Sequence, residues 1–143
     1  MIRHIGLTVS DLETSLDFYT KILDFKVYKR AEESGDFIDK FIGIKDAKLT
    51  TVKMLDANNN MLELVYYKSH REKPNNNRVR RLSEIGCSHF ALSVTNLDEL
   101  YEKLIDYGIE FTHPVQTSPD GNVKATFCRD PDGTWIELVE ELI

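Results

Sequence analysis

Two stretches of strict alternation stand 85 residues apart, His4-Ile5-Gly6-Leu7-Thr8-Val9 and His89-Phe90-Ala91-Leu92-Ser93-Val94. Small or polar residues take one face and apolar residues the other, which is the period of a half-buried strand. Each stretch then changes to a helical period. In residues 11 to about 24, Leu12, Leu16, Tyr19 and Leu23 fall on one helical face. In residues 96 to about 107, Leu97, Leu100, Tyr101 and Leu104 do the same. Ser10 followed by Glu13 predicts a capping box for the first helix. Thr95 is the predicted N-cap of the second, and Gly108 its C-terminal stop.

The repeat resumes near the end of each half, now at an offset of 74. Asp56-Ala57-Asn58-Asn59-Asn60 precedes Met61-Leu62-Glu63-Leu64-Val65, and Asp130-Pro131-Asp132-Gly133-Thr134 precedes Trp135-Ile136-Glu137-Leu138-Val139. Turn residues between β-rich runs predict a hairpin in each copy, with residues 49–55 and 122–128 as the incoming strands. The chain therefore divides into a module at residues 1–67, a linker at 68–85 and a module at 86–143. The linker is rich in Lys, Pro and Asn, a loop composition, and closes on a basic cluster of Arg78, Arg80 and Arg81 read as solvated.

Composition narrows the class. A chain of 143 residues with 41% hydrophobic content builds a real core, as one compact domain or two very small ones. The formal net charge of −6 excludes non-specific nucleic-acid binding, which needs a basic surface. Cys87 and Cys128 stand in no metal-binding spacing and read as free thiols, buried or partly buried, in a reducing compartment. No apolar run is long enough to span a bilayer and no signal-peptide core opens the sequence, so the expectation is a cytoplasmic protein without a membrane partner.

The repeat also carries chemistry. His4 and His89 open the first strand of each copy, and Glu63 and Glu137 interrupt the apolar run of the last. A single histidine or glutamate in such a place is usually solvated or hydrogen-bonded. Recurrence of both types at matching places in both copies points instead to a shared metal site. Neutral imidazole and carboxylate suit first-row divalent ions, and two carboxylates offset the charge of one such ion. Open coordination positions then admit substrate oxygens, and a carboxylate beside them can take a proton from carbon. His70 and His113, in the linker and in a turn-like stretch, read as structural or solvated.

These motifs resemble the glyoxalase I/vicinal oxygen chelate superfamily over essentially the whole chain. The strongest pieces are residues 4–12, Ser15-Leu16-Asp17-Phe18-Tyr19 and residues 130–138. The resemblance implies an α+β fold of two βαβββ modules whose curved mixed sheets surround a metal site. It implies one divalent ion (Zn, Ni, Co, Mn or Fe) on His4, Glu63, His89 and Glu137, with Glu137 and Glu63 as the acid–base pair. It further implies a glyoxalase I-type lyase or isomerase that shifts a proton α to a carbonyl through an enediolate, in a homodimer acting on a small molecule. Alternatives of the same fold are a methylmalonyl-CoA epimerase-like enzyme, an extradiol dioxygenase-like enzyme and a non-catalytic small-molecule binding protein. Thr8 and Tyr67 stand where glyoxalase I usually has the Arg and Asn that help hold glutathione, so poor glutathione-dependent activity is expected.

Overall fold

The structure, a computed structural model, describes residues 1–73 and 80–142. Arg78 of the predicted basic cluster lies outside the described residues. The chain forms two compact units, residues 1–75 and 76–143.

In the first unit, β1 (Ile5–Thr8) leads into α1 (Leu12–Asp17), followed by β2 (Lys26–Ser34), α2 (Asp36–Ile42), β3 (Lys48–Leu55) and β4 (Met61–Tyr67). Its sheet runs in the order β1-β4-β3-β2, with β1 parallel to β4 and the other pairs antiparallel. The second unit repeats the plan with β5 (His89–Ser93), α3 (Leu97–Asp106), β6 (Gln116–Thr117), β7 (Val123–Arg129) and β8 (Trp135–Glu141), in the order β5-β8-β7-β6. Both sheets are mixed and four-stranded, which makes the architecture α+β as the sequence predicts. Among the described residues the second unit has no counterpart of α2.

One face of each sheet carries the core. Val52, Met54, Leu62 and Leu64 are buried in the first unit together with Leu12, Leu16, Tyr19 and Ile22. Tyr19 meets Phe18 and Phe25 edge-on, with ring centroids 5.0 and 6.1 Å apart. In the second unit Leu97 and Leu104 of α3 are buried, as are Ile136 and Leu138 of β8. Alternation then turns Glu63 and Glu137 to the opposite face.

Three local expectations need correction. The cap of α1 is Asp11, whose carboxylate accepts from Thr14 N at 2.8 Å, and not Ser10. A carboxylate at a helix start answers both the free N–H groups and the positive end of the dipole. Second, α1 passes into a π-helical turn, Phe18–Ile22. Its wider winding moves the inner face by a residue, so Ile22 is buried where Leu23 was expected, and Leu23 is only half-buried. Third, Asn96 caps α3 in place of Thr95, in a left-handed conformation, φ 54°. The N–H groups of Asn96 and Leu97 donate to the Glu140 carboxylate at 2.7 and 3.0 Å, an anion supplied to the helix start by β8.

The two hairpin turns match in detail. Asp56 Oδ1 accepts from Asn58 N and Asn60 N, both at 2.8 Å. Asp130 Oδ1 accepts from Asp132 N at 3.0 Å and Thr134 N at 2.8 Å. The left-handed position is Asn59 in one turn and Gly133 in the other, with φ of 63° and 84°. Both thiols are free; Cys128 is buried as expected, whereas Cys87 is exposed because it lies in the segment before β5 and not inside the sheet. Among the described residues no helix is long and apolar enough to cross a membrane.

Candidate metal centre

Parallel pairing of β1 with β4 aligns Gly6 with Glu63, and pairing of β5 with β8 aligns Ala91 with Glu137. Residues two apart on a strand share a face. His4 therefore shares the face of Glu63, and His89 that of Glu137. The residue that follows each histidine on that face is small. A Cβ added at Gly6 would meet nothing nearer than His4 Cδ2, at 4.0 Å, so each imidazole has room to lean toward its carboxylate.

His4 Nε2 lies 3.2 Å from Glu63 Oε2, and His89 Nε2 lies 3.4 Å from Glu137 Oε2. Both separations exceed the roughly 2.7–2.9 Å of a charge-assisted hydrogen bond. Neighbouring ligands at about 2.0–2.2 Å from one ion stand about 2.8–3.6 Å apart, so both pairs have the spacing of donors on a common metal. Donor chemistry and spacing thus fit a divalent ion in each pair. Within each unit the described residues gather two such donors and no cluster of three or more His, Cys, Asp or Glu.

The surroundings of the two pairs differ. Lys53 on β3 is the cross-strand neighbour of Glu63, and its Nζ lies 3.5 Å from Oε1. Phe127 on β7 holds the equivalent place beside Glu137, with its ring edge-on to His89 at 5.1 Å between centroids. Ser88 Oγ lies 2.7 Å from His89 Nδ1. In the tautomer that leaves Nε2 a lone pair for a metal, Nδ1 carries the proton and donates to Ser88, which fixes the ring. His4 Nδ1 is buried and has no hydrogen-bond partner among the described residues.

Phe127 also connects the second pair to an open groove of about 340 Å³ lined by Thr112, His113, Pro114, Gln116, Ala125 and Thr126. That volume is at the lower end for a small-ligand pocket. His113 is exposed at the groove and its carbonyl accepts from Thr126 Oγ1 at 2.8 Å; His70 is exposed beside Ser69. In the first unit the same sheet face is walled beyond Val65 by α2, whose Ile38 is buried with Ala47 and Leu49, against which Val65 and Tyr67 pack. Tyr67 is thus committed to that wall.

Sequence reasoning missed Lys53, Phe127 and Ser88. Lys53 and Phe127 become visible only when each hairpin's register is known. Ser88 could have been found from its place directly before the repeated histidine.

A family model described as the Glyoxalase/Bleomycin resistance protein/Dioxygenase superfamily matches residues 1–138. The lactoylglutathione lyase of Escherichia coli O157:H7 is 32% identical, over 98% of this chain and 92% of its own length. An uncharacterized Bacillus subtilis protein, YwkD, is 31% identical over 98% of this chain and 96% of its own. The crystal structure of a glyoxalase family protein from Bacillus cereus superposes with a TM-score of 0.89, covering 99% of this chain and 94% of that one. At 18% identity this last likeness is one of fold.

Proposed function

The chain belongs to the glyoxalase/bleomycin resistance/dioxygenase superfamily, and from that premise we propose that it is a metal-dependent lyase or isomerase that moves a proton α to a carbonyl. The observation that carries this reading is the pair of matched His–Glu couples at 3.2 and 3.4 Å, at the same register of the two sheets. Under this proposal His4, Glu63, His89 and Glu137 together hold one divalent ion, drawn from one chain or from two chains of a homodimer. When bound, such an ion polarises vicinal substrate oxygens and stabilises the negative charge that develops there. Glu137 removes the proton from the neighbouring carbon and returns it. Phe127 gives that side of the site an apolar wall beside the carboxylate and packs edge-on against His89. Lys53 stands at Glu63 Oε1, so Glu63 serves chiefly to hold charge. Exposed Val27, Tyr28, Phe37 and Phe41 on β2 and α2 support the homodimer.

Metal analysis of protein purified without added metal, followed by a screen of 2-oxoaldehydes with and without thiols, tests the reading. One ion per set of four ligands is expected, and His4→Ala or His89→Ala alone should release it. Two ions per chain would mean that each pair binds its own. Poor glutathione-dependent turnover is expected, since Thr8 and Tyr67 offer neither Arg nor Asn contacts. Metal-free protein that binds a small molecule unchanged would overturn the proposal in favour of a binding protein. Light scattering should give twice the chain mass.

A further inference from the structure

The strand registers place four residues in a row across the first sheet: Lys29 on β2, Lys53 on β3, Glu63 on β4 and Gly6 on β1. Aligned partners point to one face, so two ammonium groups and one carboxylate share it. Lys29 and Lys53 lie directly opposite each other, an arrangement that costs stability because like charges face one another across strands. Among the described residues Lys29 forms no ion pair. Lys53 has one carboxylate neighbour, at 3.5 Å, beyond the range of a good N–H···O bond. Glu63 meanwhile turns its other oxygen to His4. With that oxygen given to a metal, the Lys53 ammonium keeps donors that no described residue of its unit satisfies. Its side chain is 28% exposed on the site face, enough to be reached and too little to be freely solvated. At the equivalent place in the other unit stands Phe127.

We infer that Lys53 is a specificity-determining residue that binds an anionic oxygen of the substrate, with Lys29 as an outer cation of the same row. The substrate class this selects is an organic acid with vicinal oxygens, such as a 2-hydroxy or 2-oxo carboxylate, in place of a neutral 2-oxoaldehyde. The inference rests on the proposed function, because it needs the substrate to reach the His4–Glu63 pair. An ammonium that contacts the anion directly adds a charge-assisted hydrogen bond, and its loss lowers affinity about tenfold or more.

The test uses two probes that chelate through vicinal oxygens and differ in charge, oxalate and acetohydroxamate. Each is titrated calorimetrically into the zinc-loaded full chain, with zinc content measured on the same samples. Lys53→Met is expected to weaken oxalate by about tenfold or more and acetohydroxamate by less than about twofold. Lys53→Arg should keep oxalate within about threefold, and Lys29→Met should weaken oxalate alone, by about two- to threefold. Zinc content should stay that of the parent, and thermal melts confirm that each variant folds. Equal weakening of both probes by Lys53→Met would make the lysine merely a counter-ion of Glu63 and overturn the inference. Unchanged oxalate binding would overturn it as well. If the parent protein holds zinc but binds neither probe, the chelation reading itself fails and this inference falls with it, a result distinct from unequal responses among the variants.

Discussion

The two units share a sheet plan and a His–Glu couple in the same register, yet the residue flanking the carboxylate differs. Glu63 has Lys53 across the hairpin, and Glu137 has Phe127. His89 is held by Ser88, whereas His4 Nδ1 is buried without a partner among the described residues. What the halves keep in common is what metal binding needs: donor type, face and a small residue beside the imidazole. Under the proposed function, what they do not share would separate the tasks, with charge placed beside Glu63 and an apolar wall beside the proposed base, Glu137.

The largest effect should come from removing the base on the apolar side. Glu137→Gln is expected to keep most of its metal, because the amide retains an oxygen donor of similar size, and to lose about 10²–10⁴-fold in turnover. Glu63→Gln should lose less, since the Lys53 ammonium already stands at the oxygen a substrate proton would need. Rates and metal content taken on the same preparations check this. Equal losses in both variants would erase the functional difference between the units, and a Glu137→Gln enzyme at full rate would place the base elsewhere.

A smaller effect tests the support of the histidines. Ser88→Ala removes the group at His89 Nδ1, and loss of such an outer partner typically lowers metal affinity about 10–100-fold. Competition with a chromogenic chelator measures it. Unaltered affinity would mean that packing against Phe127 alone orients His89, as packing must already orient His4.

Much of this plan is legible in the sequence because alternation and repetition are local. His4, Glu63, His89 and Glu137 can be named without a structure, since period two fixes their face and the repeat removes the ambiguity of each alone. The missing parts depend on distance along the chain. Glu140 caps α3 from 43 residues away, and Lys53 meets Glu63 only through hairpin register. The helix α2 has seven residues between two glycines of positive φ, and carries apolar side chains on both faces: Ile38 inward, Phe37 and Phe41 stacked and exposed. Too short for a clear helical period and unmatched in the second copy, it gives neither signal. The π-helical turn likewise leaves the heptad-like spacing of α1 intact up to Tyr19 and misleads only at Leu23.

Alkaline pH should separate the units next. The only cysteines lie in the second unit, and burial, aided by the nearby Asp130 charge, pushes the Cys128 thiol from 9.0 up to about 12. The folded state therefore keeps this proton over a range in which the unfolded chain has lost it. Stability is unaffected below about pH 9 and falls as pH rises from there toward 12, because the unfolded state then binds fewer protons. Hydrogen exchange resolved along the chain should show protection in β7 and β8 declining ahead of that in β3 and β4. A Cys128→Ala control should remove the pH dependence of that difference, and no such change would mean that the thiol does not control it. Alkylation at neutral pH should modify exposed Cys87 and spare buried Cys128 until the chain unfolds.

The smallest effect exchanges the residue beside the first histidine for its counterpart beside the second. Gly6→Ala makes the first unit carry the small side chain that Ala91 supplies in the other. The new Cβ meets His4 Cδ2 at 4.0 Å, ordinary contact, and Gly6 does not have a positive φ, so the substitution forces neither the imidazole nor the backbone. Alanine also loses less conformational entropy than glycine in a strand, a gain of about 0.5–1 kcal/mol. Thermal unfolding should therefore give a midpoint equal to or slightly above that of the parent, with metal content unchanged. Gly6→Val extends the comparison, because its two methyl groups would occupy the space over which His4 leans toward Glu63. Metal binding should weaken in that variant while the fold persists. If Gly6→Ala already lost metal, the match between the two couples would be one of register only, and the first histidine would need more room than the second.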